Sequence, residues 1–163
     1  MFRVGIITAS DRGFAGERED VSGAVIKEMA LAGGYSVVSY VVLPDDRKML
    51  ADEMKRLCDE DIADLVLTTG GTGFSPRDCT PEATLDVAEK QAQGIAEAMR
   101  YSSMRITKRA MLSRAVAVIR GKTLIVNLPG SPKAVRENLE FIIEELPHGL
   151  QVLKGNVSDC AAK

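Results

Sequence analysis

The sequence predicts an α/β fold, a three-layer domain in which helices cover both faces of a mostly parallel sheet that also carries an antiparallel hairpin. Apolar runs rich in β-branched residues, at positions 4–9, 36–43 and 65–69, are typical of buried strands. Each run is followed by a helix-start signal or by apolar residues at helical spacing. Repeated strand–helix units joined by short loops favour parallel strands with helices on both sides.

Capping and stop signals define the helices of the first half. Residues 10–20 form a polar loop, and residues 21–32 place their apolar side chains at helical spacing. Gly33 supplies the stop of this helix. Asp45 or Asp46 is suited to cap the helix after the second strand, because a carboxylate accepts hydrogen bonds from the first N–H groups of a helix. We therefore expect two helices before the third strand.

The middle of the chain contains two helical segments, residues 80–93 and 94–109, which we expect Gly94 to divide. Thr80 is suited to cap the first segment. Pro81 fits the first helical position, where its missing N–H costs nothing. These signals predict that the first helix begins near Thr80.

The last part of the chain predicts a hairpin and a final helix. Residues 116–120 and 123–128 form two strands, joined at Gly121 by a tight type II′ turn. Ser131 caps the helix that follows, and Pro147 ends it. The hairpin adds an antiparallel pair to a sheet that is otherwise parallel.

Length and composition are those of one globular domain. The chain has 163 residues, of which 45% are hydrophobic and 27% charged. We expect a single domain over residues 1–153 and a C-terminal tail over residues 154–163. The net charge is −2 with acidic and basic residues interspersed, so no basic face indicates nucleic-acid binding. Any anion must therefore be bound by a local site.

The N-terminal and cysteine patterns predict a cytoplasmic protein without a membrane segment. The first apolar run becomes polar by Ser10, too early for a signal peptide or a membrane span. Cys58, Cys79 and Cys160 lack a Cys-x-x-Cys pair, so neither a disulfide framework nor a zinc site is indicated. For His148, a solvent-facing turn position is favoured over a catalytic base.

A glycine-rich loop, Gly70, Gly71, Thr72 and Gly73, follows the third strand and precedes a helix. Such a loop presents backbone N–H groups and the positive end of a helix dipole, which suits a phosphate. A tight structural turn explains the glycines equally well. No Lys-Ser/Thr pair follows the last glycine, and Pro76 stands where a dinucleotide fingerprint needs glycine. The loop is therefore neither a Walker loop nor a Rossmann fingerprint.

Three aspartates, Asp11, Asp45 and Asp78, follow strands whose carboxyl ends share one edge of the predicted sheet. Carboxylates there repel an anionic substrate unless a cation such as Mg²⁺ lies between them. Phosphate-binding loops beside carboxylates therefore indicate a metal-bridged nucleotide. Structural roles compete with this interpretation, since Asp45 is suited to cap a helix and Asp11 to brace its loop.

A second glycine turn, at Gly130, also leads from a strand into a helix. Its N–H groups are suited to a phosphate, and Lys133 in the first helical turn could reach a phosphate oxygen. A solvated surface lysine is the competing interpretation. We expect this turn and the glycine-rich loop to lie at the same sheet edge.

Two long motifs give the sequence a resemblance to a known family. They are Thr68-Thr69-Gly70-Gly71-Thr72-Gly73 with Arg77-Asp78 and Thr80-Pro81-Glu82-Ala83-Thr84, and Asn127-Leu128-Pro129-Gly130-Ser131-Pro132-Lys133. The chain resembles the MogA/MoaB family of molybdenum-cofactor biosynthesis, whose members include molybdopterin adenylyltransferases. The resemblance extends from Ser10-Asp11-Arg12 to near Leu153 and implies a molybdopterin-binding-like fold.

The resemblance implies a nucleotidyltransferase that transfers AMP from Mg-ATP to molybdopterin, giving adenylyl-molybdopterin and pyrophosphate. It implies catalytic and Mg²⁺-positioning roles for Asp45 and Asp78, and nucleotide binding by Gly70, Gly71, Thr72 and Gly73. On the substrate side it implies the following residues: Ser10, Asp11, Asn127, Gly130, Ser131 and Lys133. ATP and molybdopterin are then the ligands. A homotrimer and a molybdenum-inserting partner enzyme are further implications of the resemblance.

Two alternative functions compete with the enzyme, and the first of them requires the same pocket. One is a non-catalytic molybdopterin-binding carrier or scaffold, but such a protein gains nothing from Asp11, Asp45 and Asp78 together. The other is a flavodoxin-like binder of flavin phosphate, which is disfavoured because the chain has no Trp and only 4% aromatic residues. The three carboxylates favour the enzyme.

Overall fold

The computed structural model describes residues 1–156, and its middle layer is a six-stranded mixed sheet. The strands are β1 (Arg3–Ala9), β2 (Ser36–Leu43), β3 (Leu65–Thr69), β4 (Lys90–Gln91), β5 (Ala117–Arg120) and β6 (Thr123–Leu128). Their order is β2-β1-β3-β6-β5-β4. The first four of these run parallel, whereas β5 and β4 are antiparallel to their neighbours. The predicted parallel sheet with an added antiparallel hairpin is confirmed.

Seven α-helices and one 3₁₀ helix connect the strands within residues 1–156. The helices are α1 (Asp11–Phe14), α2 (Val21–Ala32), α3 (Arg47–Asp59), α4 (Thr80–Val87), α5 (Gln93–Met104), α6 (Pro132–Ile142) and α7 (Leu146–Leu153), and the 3₁₀ helix is Lys108–Leu112. None of these helices is long and apolar enough to cross a membrane.

Two apolar cores lie on opposite faces of the sheet, which confirms the three-layer architecture. On one face α2, α5, α6 and α7 pack against Leu65 and Leu67 of β3. On the other face α3 and α4 pack against Val66. Side chains alternate because successive residues of a strand point to opposite faces. The sheet is therefore buried on both sides, as expected for parallel strands.

The boundary between α4 and α5 differs from the prediction. The helix that starts at Thr80 ends at Val87, and β4 follows as a short edge strand. The N–H groups of Glu89 and Ala92 donate to carbonyl oxygens of the β5 region at 3.0 and 2.8 Å. Gly94 lies inside α5 and does not divide the two helices. Sheet pairing here overrides the helical propensity of the segment.

The predicted cap at Thr80 is wrong. Helix α4 begins at Thr80 itself, and Cys79 in the preceding position makes no side-chain capping bond. The Thr80 hydroxyl donates to the carbonyl of Gly70 at 2.9 Å. Its hydroxyl therefore fixes the glycine-rich loop, a long-range role that a capping pattern does not reveal.

At the other helix ends, some predictions are confirmed and one is wrong. Asp46 caps α3 by accepting from the N–H of Met49 at 2.8 Å, which settles the choice between the two aspartates. Ser131 caps α6 as predicted. Pro147, however, stands in the first turn of α7 and does not end the preceding helix. Exposed His148 therefore lies inside a helix and not in a turn.

A buried carboxylate, Asp64, holds the end of the described chain to the sheet. Its side chain is 2% exposed and pairs with Arg3 at 2.8 Å and Lys154 at 2.7 Å. Burial alone would raise the pKa of Asp64, but the bonds to these cations lower it to about 2. Lys154 is thus anchored. Residues 157–163 of the predicted tail, with Cys160, lie outside the described residues.

We predict that Asp64 makes the protein sensitive to acid. Because its native pKa is about 2 and the unfolded value is 3.8, the unfolded state takes up the proton first as pH falls. The stabilisation should be complete above pH 4 and lost between about pH 4 and pH 2. Asp64→Asn should lower the free energy of unfolding at pH 7 by roughly 3 kcal/mol, measured with urea.

Asp61→Asn is the matched control, because Asp61 pairs with the same Arg3 but is 86% exposed. Its loss should cost less than about 1 kcal/mol. Equal losses for the two variants would contradict the role given to Asp64.

Candidate active site

Four loops meet at the carboxyl ends of β1, β2, β3 and β6. The N–H of Asp45 donates to Asp11 Oδ1 at 3.0 Å, which joins the loops after β1 and β2. Thr69 Oγ1 donates to the carbonyl of Pro129 at 2.7 Å, which joins the end of β3 to the loop after β6. Strand order reverses between β1 and β3, and ligands of open α/β sheets bind at such a switch point.

The glycine-rich loop is packed too closely for side chains at two of its positions. Gly70 and Gly71 have φ of +87° and +66°. A Cβ at Gly70 would lie 2.3 Å from the carbonyl oxygen of Ala9, and a Cβ at Gly71 would lie 2.4 Å from Thr80 Oγ1. Both positions therefore require glycine for backbone conformation and for space.

We predict that Gly71→Ala lowers the free energy of unfolding by about 2 kcal/mol or more, because the alanine would be strained in φ and would push Thr80 away. Gly94→Ala is the control, since nothing lies within 4 Å of the added carbon in α5. It should be neutral or stabilise by up to about 1 kcal/mol. Thermal unfolding of both proteins tests this, and a harmless Gly71→Ala would show that the loop can relax.

Asp78 folds the glycine-rich loop back on itself. Its Oδ2 accepts from the N–H of Gly73 at 2.9 Å and from the N–H of Ser75 at 3.2 Å. The half-buried carboxylate thus sits directly beside the loop, within the cleft that Gly71, Thr72 and Gly73 also line. The structure brings together this predicted catalytic residue and the predicted nucleotide loop.

Asp45 holds one carboxylate oxygen in an unusual position. Oδ2 accepts from the N–H of Asp11 at 3.2 Å, whereas Oδ1 is buried and has no hydrogen-bond partner within residues 1–156. A Cβ at Gly71 would lie 3.0 Å from Oδ1, so this oxygen faces the glycine-rich loop. Burial raises the pKa of Asp45, and the charges of Asp11 and Asp78 raise it further.

Asp11 already has a cationic partner. Arg77 donates Nε and Nη2 to the two Asp11 oxygens, each at 2.9 Å. This bidentate bond, with the N–H of Asp45, lowers the pKa of Asp11. The pair ties the segment after the glycine-rich loop to the loop after β1. The Asp11–Arg77 pair thus fixes two loops relative to each other, which is the structural role considered for Asp11 from the sequence.

The predicted substrate-side residues occupy different environments. Ser10 and Ser131 cap α1 and α6, and the carbonyl of Gly130 accepts from Ser22 Oγ at 2.7 Å. These three residues line one cleft. Lys133 lies outside the lining of this cleft, its side chain is 81% exposed, and its Nζ is 3.8 Å from Glu137.

Asn127 is fully buried and makes hydrogen bonds inside the protein. Its Nδ2 donates to Thr68 Oγ1 at 3.0 Å and to Thr84 Oγ1 at 2.9 Å, and its Oδ1 accepts from the N–H of Val116. These bonds join β3, β6 and α4. Its contact with substrate stays a prediction; the bonds seen position the helix that carries Thr80.

Two clefts open on either side of Gly130, which lines both. The first cleft has a volume of about 510 Å³ and is lined by the glycine-rich loop, Asp78 and side chains such as Met99 and Arg109. The second cleft has a volume of about 380 Å³ and includes Asp20 in its lining. Two adjoining clefts with glycine turns between them can hold two ligands whose phosphates meet.

Arg114 is a site residue that sequence reasoning missed. Its backbone N–H donates to the Thr72 carbonyl at 2.9 Å, and its Nε donates to the Gly73 carbonyl at 2.7 Å. Nη2 donates to the Asp78 carbonyl at 3.1 Å, while Nη1 pairs with Glu82. A single arginine ahead of a strand carries no sequence signal, because the partners of its side chain are 32 to 41 positions away.

The donors at this edge fit Mg²⁺. Within residues 1–156 no cluster of three His, Cys, Asp or Glu side chains could hold a metal ion unaided. Mg²⁺ is typically bound by one or two carboxylates, with phosphates and waters completing the shell. The buried, unpartnered Asp45 Oδ1 and the nearby Asp78 match that pattern, since a cation would relieve the desolvated charge of Asp45.

The fold and this edge define a class of protein: a three-layer α/β domain with a glycine-rich loop and paired carboxylates at the switch point of its sheet. Over residues 5–148 the chain matches the family described as a probable molybdopterin binding domain. The chain therefore belongs to this family, and its resemblance to MogA and MoaB proteins is confirmed.

Individual relatives agree with this assignment. A molybdopterin adenylyltransferase of Helicobacter pylori is 41% identical over 155 residues, covering 94% of this chain and 88% of that protein. The crystal structure of the molybdopterin biosynthesis enzyme MoaB from Thermus thermophilus has a TM-score of 0.90 at 48% identity, with 95% and 98% of the two chains covered. The tungsten cofactor synthesizing protein MoaB from Pyrococcus furiosus has a TM-score of 0.85 at 36% identity, with 94% and 98% covered.

Proposed function

We propose that this protein is a molybdopterin adenylyltransferase, which transfers AMP from Mg-ATP to molybdopterin. The observation that carries the proposal is the buried Asp45 Oδ1, which faces the glycine-rich loop without a partner in residues 1–156. A carrier of an anionic pterin has no use for an unpaired carboxylate there, whereas a reaction of Mg-ATP does. The similarity to molybdopterin adenylyltransferases supplies the substrate identity.

The reaction is a displacement at phosphorus. An oxygen of the terminal phosphate of molybdopterin attacks the α-phosphorus of ATP and forms a new P–O bond. The bond from that phosphorus to the bridging oxygen of the β-phosphate breaks, and pyrophosphate leaves with the electron pair. Because both reactants are anions, the protein must hold them together and reduce their repulsion.

We assign ATP to the first cleft. The loop of Gly70, Gly71, Thr72 and Gly73 would hold its phosphates, and the apolar wall that includes Met99 would contact the nucleoside. Asp45 and Asp78 would hold Mg²⁺, which when bound neutralises phosphate charge.

We assign molybdopterin to the second cleft. Ser10, Gly130 and Ser131 line it, and Ser131 stands at the N-terminus of α6, where anions are favoured. The remaining predicted substrate residues would act less directly. Asp11 would set the loops through Arg77, Asn127 would position α4, and Lys133 would contribute positive charge near the start of α6.

The proposal extends to the setting in which the enzyme works. We place it in the cytoplasm as a homotrimer that passes its product to a molybdenum-inserting enzyme. Exposed apolar side chains on and after α5, including Tyr101, Ile106 and Met111, are consistent with an interface between copies. Light scattering on the purified protein measures the oligomeric state.

The direct test is anaerobic incubation of the purified protein with molybdopterin, ATP and Mg²⁺, followed by chromatography of the pterin and pyrophosphate. Adenylylated pterin and pyrophosphate in equal amounts, over several turnovers, are expected. Tight pterin binding without product, alongside an active control enzyme, would favour the carrier instead.

We predict that Asp45→Asn lowers kcat/KM for ATP by about 100-fold or more, because the oxygen facing the loop loses its charge. The free energy of unfolding should stay the same or rise, since a buried, unpaired charge has been removed. Steady-state kinetics and urea unfolding measure the two effects. Asp46→Asn is the control, because exposed Asp46 only caps α3 and asparagine caps equally well. Equal activity of the two variants would remove Asp45 from the mechanism.

We predict that Asp78→Asn also abolishes most activity while the protein stays folded. Asparagine retains an oxygen that can accept from Gly73 and Ser75, so the loop should survive while the charge is lost. Product formation and circular dichroism check this. Normal turnover in the variant would show that Asp78 serves only the loop.

A further inference from the structure

The Arg114 side chain binds two main-chain carbonyls, one in the glycine-rich loop and one in the segment that follows it. The guanidinium of Arg114 donates to the carbonyls of Gly73 and Asp78, which stand at the two ends of the segment that carries the Asp78 carboxylate. The Arg114 main chain adds a third bond, to Thr72. Arg114 lies just before β5, so its side chain comes from a part of the chain distant in sequence from the loop that it binds.

These bonds complement those that Asp78 makes. Asp78 Oδ2 accepts from the N–H of Gly73, while Arg114 binds the carbonyls of Gly73 and Asp78. N–H groups of this segment are thereby bonded to a carboxylate, and carbonyl groups of the same segment to a guanidinium. A displacement of Arg114 would move the Asp78 backbone and with it the carboxylate.

The charge of Arg114 is balanced by Glu82, and its bond to Asp78 is to the carbonyl and not to the carboxylate. Its Nη1 pairs with Glu82 in the first turn of α4, and this pairing outweighs burial and lowers the pKa of Glu82. The guanidinium is 32% exposed in its side chain and is held by carbonyls and Glu82. The Arg114 side chain therefore supports the loop segment and does not present its donors to a substrate.

We propose that Arg114 is a positioning residue for adenylyl transfer, which acts through Asp78 and the glycine-rich loop on bound Mg-ATP. This inference rests on the proposed function. Lysine cannot replace Arg114 in this role, because a single ammonium group lacks the planar guanidinium that donates to Gly73, Asp78 and Glu82 together.

The test compares Arg114→Lys with Arg120→Lys. Arg120 is similarly exposed, at 22%, and donates to Asp59 and to the carbonyl of Val87. It therefore has the same types of bond, but it lies at the hairpin end of β5, at the opposite edge of the sheet from the site. The two variants should lose similar stability in urea.

Arg114→Lys should lower kcat/KM for ATP by about 100-fold, as a misplacement of catalytic groups by an ångström does. It should also raise the Mg²⁺ concentration that gives half-maximal rate by about tenfold, because Asp78 is displaced. Arg120→Lys should change neither quantity by more than about twofold. Equal kinetic losses in both variants, or unchanged Mg²⁺ dependence in Arg114→Lys, would overturn the inference.

Two further measurements keep the inference testable if Arg114→Lys does not fold or the wild type makes no product. Glu82→Gln keeps Arg114 but removes the charge of its ion-pair partner, so it should also raise the Mg²⁺ concentration that gives half-maximal rate. An unchanged Mg²⁺ concentration would contradict the positioning role of Arg114. Titration with Mg²⁺ and a non-hydrolysable ATP analogue tests the loop without catalysis. Failure of wild-type turnover contradicts the proposed function, whereas equal binding by wild type and Arg114→Lys contradicts the role of Arg114.

Discussion

The packing at Gly71 is the constraint on which the rest of the site depends. A Cβ there would meet both Thr80 Oγ1 and Asp45 Oδ1, so two loops and the start of a helix converge at one backbone position. Thr80 is at the start of α4, and Asp45 comes from the loop after β2. The Thr80 hydroxyl holds Gly70 while Asn127 holds Thr84, so α4 is positioned by the sheet core below it. The glycine loop is therefore shaped by its surroundings as much as by its own sequence.

Asp11, Glu82 and Asp78 around the loop each have a hydrogen-bond partner in the described residues. Arg77 binds Asp11, Arg114 binds Glu82, and backbone N–H groups bind Asp78. Asp45 has no cation, and one of its oxygens is both buried and unpartnered within residues 1–156. Desolvation raises its pKa, so keeping it ionised costs free energy that a bound cation would offset. Perturbed carboxylates of this kind are concentrated at functional sites.

Much of the fold could be predicted from sequence because its signals are local. The period of apolar residues located β1, β2, β3 and β6, and the serine and aspartate caps located α3 and α6. The predictions are wrong where local structure depends on residues that are distant in sequence. Lys90 and Gln91 form a strand because β5 lies alongside them, and Thr80 turns its hydroxyl to Gly70 because the loop returns to it.

The site divides in the same way. The glycine loop, Asp45 and Asp78 stand out in sequence, because carboxylates are unusual beside a loop that is suited to bind phosphate. Arg114 does not stand out, since its role exists only once the chain has folded. The resemblance groups Asn127 with the substrate residues, while its fully buried side chain donates to Thr68 and Thr84; its contact with substrate stays a prediction. Side-chain direction at a strand end depends on register, which a motif does not give.

A crystal structure with Mg²⁺ and α,β-methylene ATP would test the central claim most directly, because this analogue cannot transfer AMP. The account predicts triphosphate against residues 71–73, with Mg²⁺ in contact with Asp45 Oδ1 and the nucleoside in the cleft of about 510 Å³. Nucleotide bound elsewhere, or a metal ion that leaves Asp45 Oδ1 without a partner, would contradict it.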